Sequence, residues 1–137
     1  MGISIQSVEV RNDGELSGAF KIVTKEKFQG LIMLQYAFAR VHVNRIMDFA
    51  KSNNLPAMYP DSEFVDTGGL ISYGIDRNAF IRRQAFFIDR ILKGAKPIEM
   101  AVELPTKFEL VVNLKTARLL GLKISQTILL RADRVIE

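Results

Sequence analysis

Short apolar runs alternate along the chain with longer stretches in which apolar positions recur every three or four residues, the pattern of strands followed by helices. Residues 3–10 are β-branched at Ile3, Ile5, Val8 and Val10 and end at Arg11-Asn12-Asp13-Gly14, which predicts a strand closed by a turn. Asn12 with Glu15 three positions later has the form of a capping box, in which side chains satisfy free backbone N–H groups at a helix start. The helix it opens is predicted over 14–27, with Leu16, Ala19, Phe20 and Val23 on one side and Lys21, Thr24 and Lys25 on the other. Residues 30–36 are almost continuously apolar, which predicts a central strand covered on both faces. A helix over 39–52 would then bury Val43, Ile46, Met47, Phe49 and Ala50 and end at Asn53-Asn54, before Pro56.

Further along, 55–59 reads as a short strand, 61–66 as a short helix stopped by Gly68-Gly69, and 70–74 as another strand. The clearest helix is predicted over 77–93, where Phe80, Ile81, Gln84, Phe87, Ile88, Ile91 and Leu92 share one broad arc and Gly94 supplies the stop. After an irregular stretch to Pro105 come a strand over 107–113, a helix over 114–120 capped by Asn113, and a last helical piece near 126–135. Strand–helix units repeating in this way predict an α/β fold with a parallel sheet and right-handed crossovers.

In such sheets ligands bind outside the carboxyl ends of the strands. That rule selects the loops at Arg11-Asn12, at Gln35, Tyr36, Ala37 and Phe38, at Tyr59-Pro60-Asp61, and at Tyr73, Gly74, Ile75 and Asp76. All three tyrosines of the chain fall in these loops. Together with Phe38 they offer flat apolar walls carrying hydroxyl groups, while Asp61, Glu63 and Asp76 offer carboxylates to an amine or a hydroxyl-rich ligand, the usual construction of a small-molecule pocket. Taken singly, each residue also has a plain structural use: tyrosines plug strand ends, and Asp61 stands where a helix N-cap would stand.

Composition narrows the chemistry. Of 137 residues, 48% are hydrophobic and 25% charged, the balance of a packed domain, and no apolar run approaches the roughly 20 residues of a membrane-crossing helix. The absence of cysteine excludes disulfides, thiolate metal sites and a cysteine nucleophile. Nineteen Lys and Arg against fifteen Asp and Glu give a net charge of +4, too small and too scattered to imply a nucleic-acid partner. The one histidine, His42, lies at the border of a buried helical arc, which argues against a serine triad. Asp61, Glu63 and Asp66 lack calcium-loop spacing, and Gly68-Gly69 is neither a Walker loop nor a dinucleotide fingerprint. No metal, no cofactor and no enzymatic activity is expected. Phe86 breaks the pattern of its helix by winding onto the polar arc among Arg82, Arg83, Arg90 and Lys93, which marks it as a candidate contact with another subunit or lobe.

At Leu55-Pro56-Ala57-Met58-Tyr59-Pro60, Glu63-Phe64-Val65 and Gly68-Gly69-Leu70-Ile71-Ser72-Tyr73-Gly74 the sequence resembles the ABC-transporter substrate-binding proteins of the tryptophan-binding-protein-like group. Arg82-Arg83, Asp89-Arg90-Ile91-Leu92-Lys93-Gly94-Ala95-Lys96-Pro97, Pro105-Thr106-Lys107-Phe108-Glu109-Leu110-Val111-Val112-Asn113-Leu114-Lys115-Thr116-Ala117 and Leu120-Gly121-Leu122 continue the likeness in order and spacing. The resemblance implies a three-layer lobe of a type I periplasmic-binding-protein-like fold. In that fold two α/β lobes close on a small solute, an amino acid or a related molecule, which passes to a membrane permease outside the cytoplasmic membrane. Carried onto this chain, it places ligand contacts at residues 35–38, around Asp61, and at residues 73–76. Tyr36-Ala37-Phe38 stand where relatives tend to have Asp or Asn, which makes the expected pocket more aromatic.

Family members are about twice as long, so the chain is expected to lack the first lobe and the opening strand and helix of the second. Residues 1–137 then form one α/β domain, with 1–104 as second-lobe core and 105–137 as C-terminal strand and helices. No export signal is legible in the first residues, which would leave a chain starting at Met1 in the cytoplasm. A strand missing beside 3–10 would expose apolar surface and backbone edges, from which a homodimer is expected, with the 107–113 strand or a partner's strand in the gap. Two functions stay open: a solute-binding lobe of an import system, or a stand-alone oligomeric interaction module that binds no solute.

Overall fold

The structure, a computed structural model, describes residues 2–34 and 37–137. Five strands form one sheet in the order β1 (Leu31–Ile32), β2 (Ala57–Tyr59), β3 (Ile71–Ile75), β4 (Phe108–Asn113) and β5 (Arg134–Ile136). The first three are mutually parallel, β4 runs antiparallel to β3, and β5 is parallel to β4. Leu31 pairs with Ala57, Met58 with Ile71, Ser72 with Val111 and Val112 with Val135. The sheet is therefore mostly parallel, with one reversed junction that the sequence pattern does not reveal. Chain reversal there follows from the long excursion between β3 and β4, which returns the chain to the same end of the sheet that it left.

The helices are α1 (Asp13–Lys25), α2 (Ala37–Val41), α3 (Val43–Ser52), α4 (Ser62–Asp66), α5 (Arg77–Leu92), α6 (Leu114–Leu119) and α7 (Gln126–Leu129). Asn12 caps α1 as its spacing predicts: Oδ1 accepts from the Glu15 N–H at 3.1 Å, and the Glu15 carboxylate accepts from the Arg11 N–H at 2.8 Å. Leu16 and Ala19 are buried, and the Phe20 ring stacks on Phe49 of α3 at 4.1 Å between centroids. Ala50, Leu55, Ala57, Tyr59 and Phe64 form the apolar cluster on which Val23, Leu31, Met33, Val43 and Met47 pack. Val65, Val111, Val112 and Ser72 are fully buried where α4 meets β3 and β4. Asn113 caps α6, with Oδ1 accepting from the Thr116 N–H at 3.0 Å, and its Nδ2 reaches back to the Val65 carbonyl.

Several sequence expectations change. Residues 3–10 pair with no described strand, and Ile3 and Ile5 are 79% and 82% exposed. A strand needs a ladder partner as well as a β-branched pattern, and among the described residues this segment has none. The apolar run at 30–36 supplies only the two residues of β1, at the edge of the described sheet rather than its centre. Its Leu31 and Met33 N–H groups bond to Pro56 and Met58 carbonyls, while Ile32 and Leu34 are exposed. The 107–113 strand pairs with β3 and β5 rather than with 3–10. The helix expected over 39–52 is broken at His42, which has non-helical dihedrals and starts α3. The final helix ends at Leu129, and Asp133 then turns the chain into β5: its N–H donates to the Leu110 carbonyl and its carboxylate accepts from the Leu110 N–H. The apolar arc of α5 is not buried. None of its sixteen residues is, and among the described contacts Arg83 ties the helix to Glu103 of the returning segment.

Candidate functional site

Because β1, β2 and β3 are parallel, their carboxyl ends open on one edge of the sheet, and antiparallel β4 begins there too, with Phe108 opposite Ile75. The turns after β2 and β3 each place an acid at this edge by capping a helix. Asp61 precedes α4, and its Oδ1 accepts from the Glu63 N–H at 3.2 Å; Asp76 precedes α5, and its Oδ1 accepts from the Ala79 N–H at 2.9 Å. Gly74 lets the two turns approach, since a Cβ on it would overlap the Pro60 carbonyl. No other residue fits this backbone spacing without a shift.

The acids are paired across elements. Arg40 of α2 donates from Nη1 to Asp61 Oδ2 at 3.1 Å and from Nη2 to Glu63 Oε2 at 2.7 Å. Arg77, the first residue of α5, donates from Nη1 to the same Glu63 oxygen at 3.0 Å and stands 3.9 Å from Asp61 Oδ2. Lys107 Nζ lies 2.8 Å from Asp76 Oδ2. That ammonium, helped by the Ala79 N–H, holds the Asp76 carboxyl below the usual carboxylate range, and the Asp76 hydrogen bond raises Lys107 in turn. The rim thus carries Arg40, Arg77 and Lys107 against Asp61, Glu63 and Asp76, balanced in formal charge and rich in groups that can bind either end of a charged solute.

The aromatic residues divide. Tyr73 is exposed at the rim and stacks on Phe108 at 5.7 Å, with 18° between the rings. Phe38 is half-buried, tilted against His42 at 4.2 Å, and Ala37 is exposed beside it. Tyr59 turns inward instead: it is 3% exposed, packs against Phe64, and supports the rim from beneath rather than lining it. Burial pushes its phenol up to about 12. Gln35 and Tyr36 lie outside the described residues. Phe86 is exposed on α5, with the Arg83 guanidinium over its ring at 4.3 Å and Arg90 at 5.8 Å, far along the chain from the rim.

The structure thus brings together Asp61, Glu63, Gly74 and Asp76, with Ala37 and Phe38 on α2, which Arg40 ties to Asp61 and Glu63, while Tyr73 lies one residue before Gly74 and stacks on Phe108. It adds Arg40, Arg77 and Lys107, which sequence reasoning passed over as scattered surface charge. Their signal was weak: Arg77 and Lys107 lie beside the ends of β3 and β4 and Arg40 lies in α2 after β1, but only the sheet pairing brings them to one edge. Among the described residues no group of three or more His, Asp or Glu is arranged to hold a metal ion.

Residues 1–136 match the family described as ABC transporter substrate binding protein. No curated protein matches the chain. Three solved structures share the fold. An ABC domain in complex with L-Trp from Streptococcus pneumonia is 24% identical with a TM-score of 0.89, over 98% of this chain and 46% of its own. A conserved domain protein from Vibrio cholerae is 22% identical with a TM-score of 0.80, over 89% of this chain and 41% of its own. A ligand-free, open substrate binding protein with adhesive properties from Clostridium difficile is 17% identical with a TM-score of 0.61, over 93% of this chain and 42% of its own. The chain therefore spans less than half the length of each.

Proposed function

Since the chain belongs to the ABC transporter substrate binding protein family, we propose that it supplies one wall of a solute site at the carboxyl ends of β1, β2 and β3. The solute is an amino acid or a close relative, held at the rim and passed to an ABC permease outside the cytoplasmic membrane. The observation that carries this reading is the convergence of Asp61, Glu63, Arg40, Arg77 and Asp76 at the carboxyl ends of parallel strands. The L-Trp bound by the Streptococcus relative supports the solute class. Charged groups of both signs suit a zwitterion, and Phe38 and Tyr73 suit an apolar side chain. Among the described residues no helix is long and apolar enough to cross a membrane, which fits a receptor that hands its solute to a separate permease. A thermal-shift screen of the chain with the L-amino acids and small carboxylates tests the reading, because a specific solute raises the unfolding midpoint by mass action. A screen in which no solute moves the midpoint contradicts it.

A second reading is favoured by α5, whose Phe80, Ile81, Phe86, Ile88, Ile91 and Leu92 are all exposed. In this reading the chain is a homo-oligomeric interaction module, with α5 and Phe86 in contact with a second copy and no solute at the rim. The same screen separates the two.

A further inference from the structure

One carboxylate bridges the turns at the carboxyl ends of the sheet. Glu63 comes from the first turn of α4, and its Oε2 receives Arg40 Nη2 at 2.7 Å and Arg77 Nη1 at 3.0 Å. The two acids of this cluster differ in how firmly they are held. The Asp61 side chain is 11% exposed and fixed by its capping bond, whereas that of Glu63 is 58% exposed, and among the described residues its carboxylate is held by the two arginines alone. Arg77 uses only Nη1 in these pairs, and among the described residues its Nη2 and Nε make no hydrogen bond.

We propose that Glu63 is an internal stand-in for the carboxylate of the solute, and that Arg40 and Arg77 are the clamp that receives this group when Glu63 swings away. The proposal rests on the solute reading above and names the residues that set its specificity. A guanidinium presents a planar fork that matches a carboxylate with two parallel hydrogen bonds, and the free Arg77 nitrogens complete such a fork for an incoming acid. Exchange is one carboxylate for another, so both arginines keep a partner. The released Glu63 is exposed, and rehydrating it costs little because exposed ion pairs are worth little. An amide or amine analogue brings no carboxylate, so Glu63 stays in the clamp and the analogue is excluded from it.

Isothermal titration of the chain with free L-amino acids and with their carboxamides tests this, using the native protein, Glu63→Gln and Arg77→Gln. The acids are expected to bind the native chain at least about tenfold more tightly than the amides, the scale of a lost charge-assisted fork. Glu63→Gln removes the competitor and is expected to tighten the acids by roughly three- to tenfold, the span of one or two exposed ion pairs. Arg77→Gln is expected to erase the preference for acid over amide. A mere staple between loops would give the opposite sign: Glu63→Gln would leave affinity unchanged or weaken it, and that result overturns the proposal. Amides that bind as well as acids overturn it while leaving the solute reading intact, whereas a chain that binds neither overturns both. Glu63→Asp, which keeps the charge but shortens its reach, is expected to fall between the native chain and Glu63→Gln and serves as the test if Glu63→Gln does not fold.

Discussion

Lys107, just before β4, reaches the carboxylate of Asp76, just after β3, with 2.8 Å between Nζ and Oδ2. The pair closes the rim at the junction where the chain leaves and re-enters the sheet, because the Asp76 N–H also donates to the Lys107 carbonyl at 3.0 Å. Lys107 and the Ala79 N–H hold the Asp76 pKa down, so its contribution is present above the ordinary carboxylate range and is lost as pH falls through the lowered value. Lys107 is raised, so its contribution is present below the ordinary lysine value and is lost only as pH rises through the higher one. Asp76→Asn keeps an N-cap acceptor but removes the charge. The Tm difference between it and the native chain is expected to hold level from about pH 5 to about pH 9 and to shrink in more acid solution. A difference that grows on acidification would contradict the pairing.

Burial raises the Tyr59 phenol to about 12. A folded-state pKa above the unfolded one means that the stability is fully present below the unfolded value of about 10 and is lost as pH rises toward the folded one. Against Tyr59→Phe, the native chain is therefore expected to lose about 2 kcal/mol between pH 10 and pH 12. Urea denaturation of both proteins at each pH measures it, and parallel pH curves would show that the phenol is hydrated in the folded chain.

Gly74→Ala is expected to destabilise the chain by about 1–3 kcal/mol, the cost of forcing extra volume into a packed site, because its Cβ would overlap the Pro60 carbonyl. A change in denaturation midpoint without a change in slope would report this as lost stability of the same fold. An unchanged midpoint would mean that the two turns do not approach this closely.

Capping is local, and the residues that cap were legible: Asn12, Asp61 and Asn113 each accept from a first-turn N–H where their spacing placed them. The existence of most elements followed from the same short-range signals, and Asp61 and Asp76 stand in the turns after β2 and β3 where the spacing put them, with Glu63 beside Asp61. What failed was whatever depends on a neighbour distant in sequence. Residues 3–10 have a strand pattern but no ladder partner among the described residues, and the α5 arc has helical periodicity but nothing described that covers it. Tyr59 looked like a loop residue because a strand's last side chain can face either way, and here it faces the core. Arg40 and Arg77 are 21 residues before Asp61 and 14 residues after Glu63, a separation at which sequence shows two solvated charges and the fold shows two arginines paired with the same carboxylate.

The exposed apolar residues of α5 give an expectation about association. At micromolar concentration, light scattering is expected to report a particle of more than one 15.5 kDa chain, and Phe86→Glu or Ile91→Glu to shift it toward the single-chain mass. A native chain that scatters as a monomer would leave α5 without a self-contact and remove the homodimer.

The strand-end site is open to direct localisation. In a titration of the nitrogen-15-labelled chain with millimolar L-amino acids, followed amide by amide, saturable shifts are expected in the turns holding Asp61, Glu63, Asp76 and Arg77 and at Tyr73, with α5 beyond its first turn unmoved. Saturable shifts confined to α5, or none anywhere, would contradict a solute site at the carboxyl ends of β1, β2 and β3.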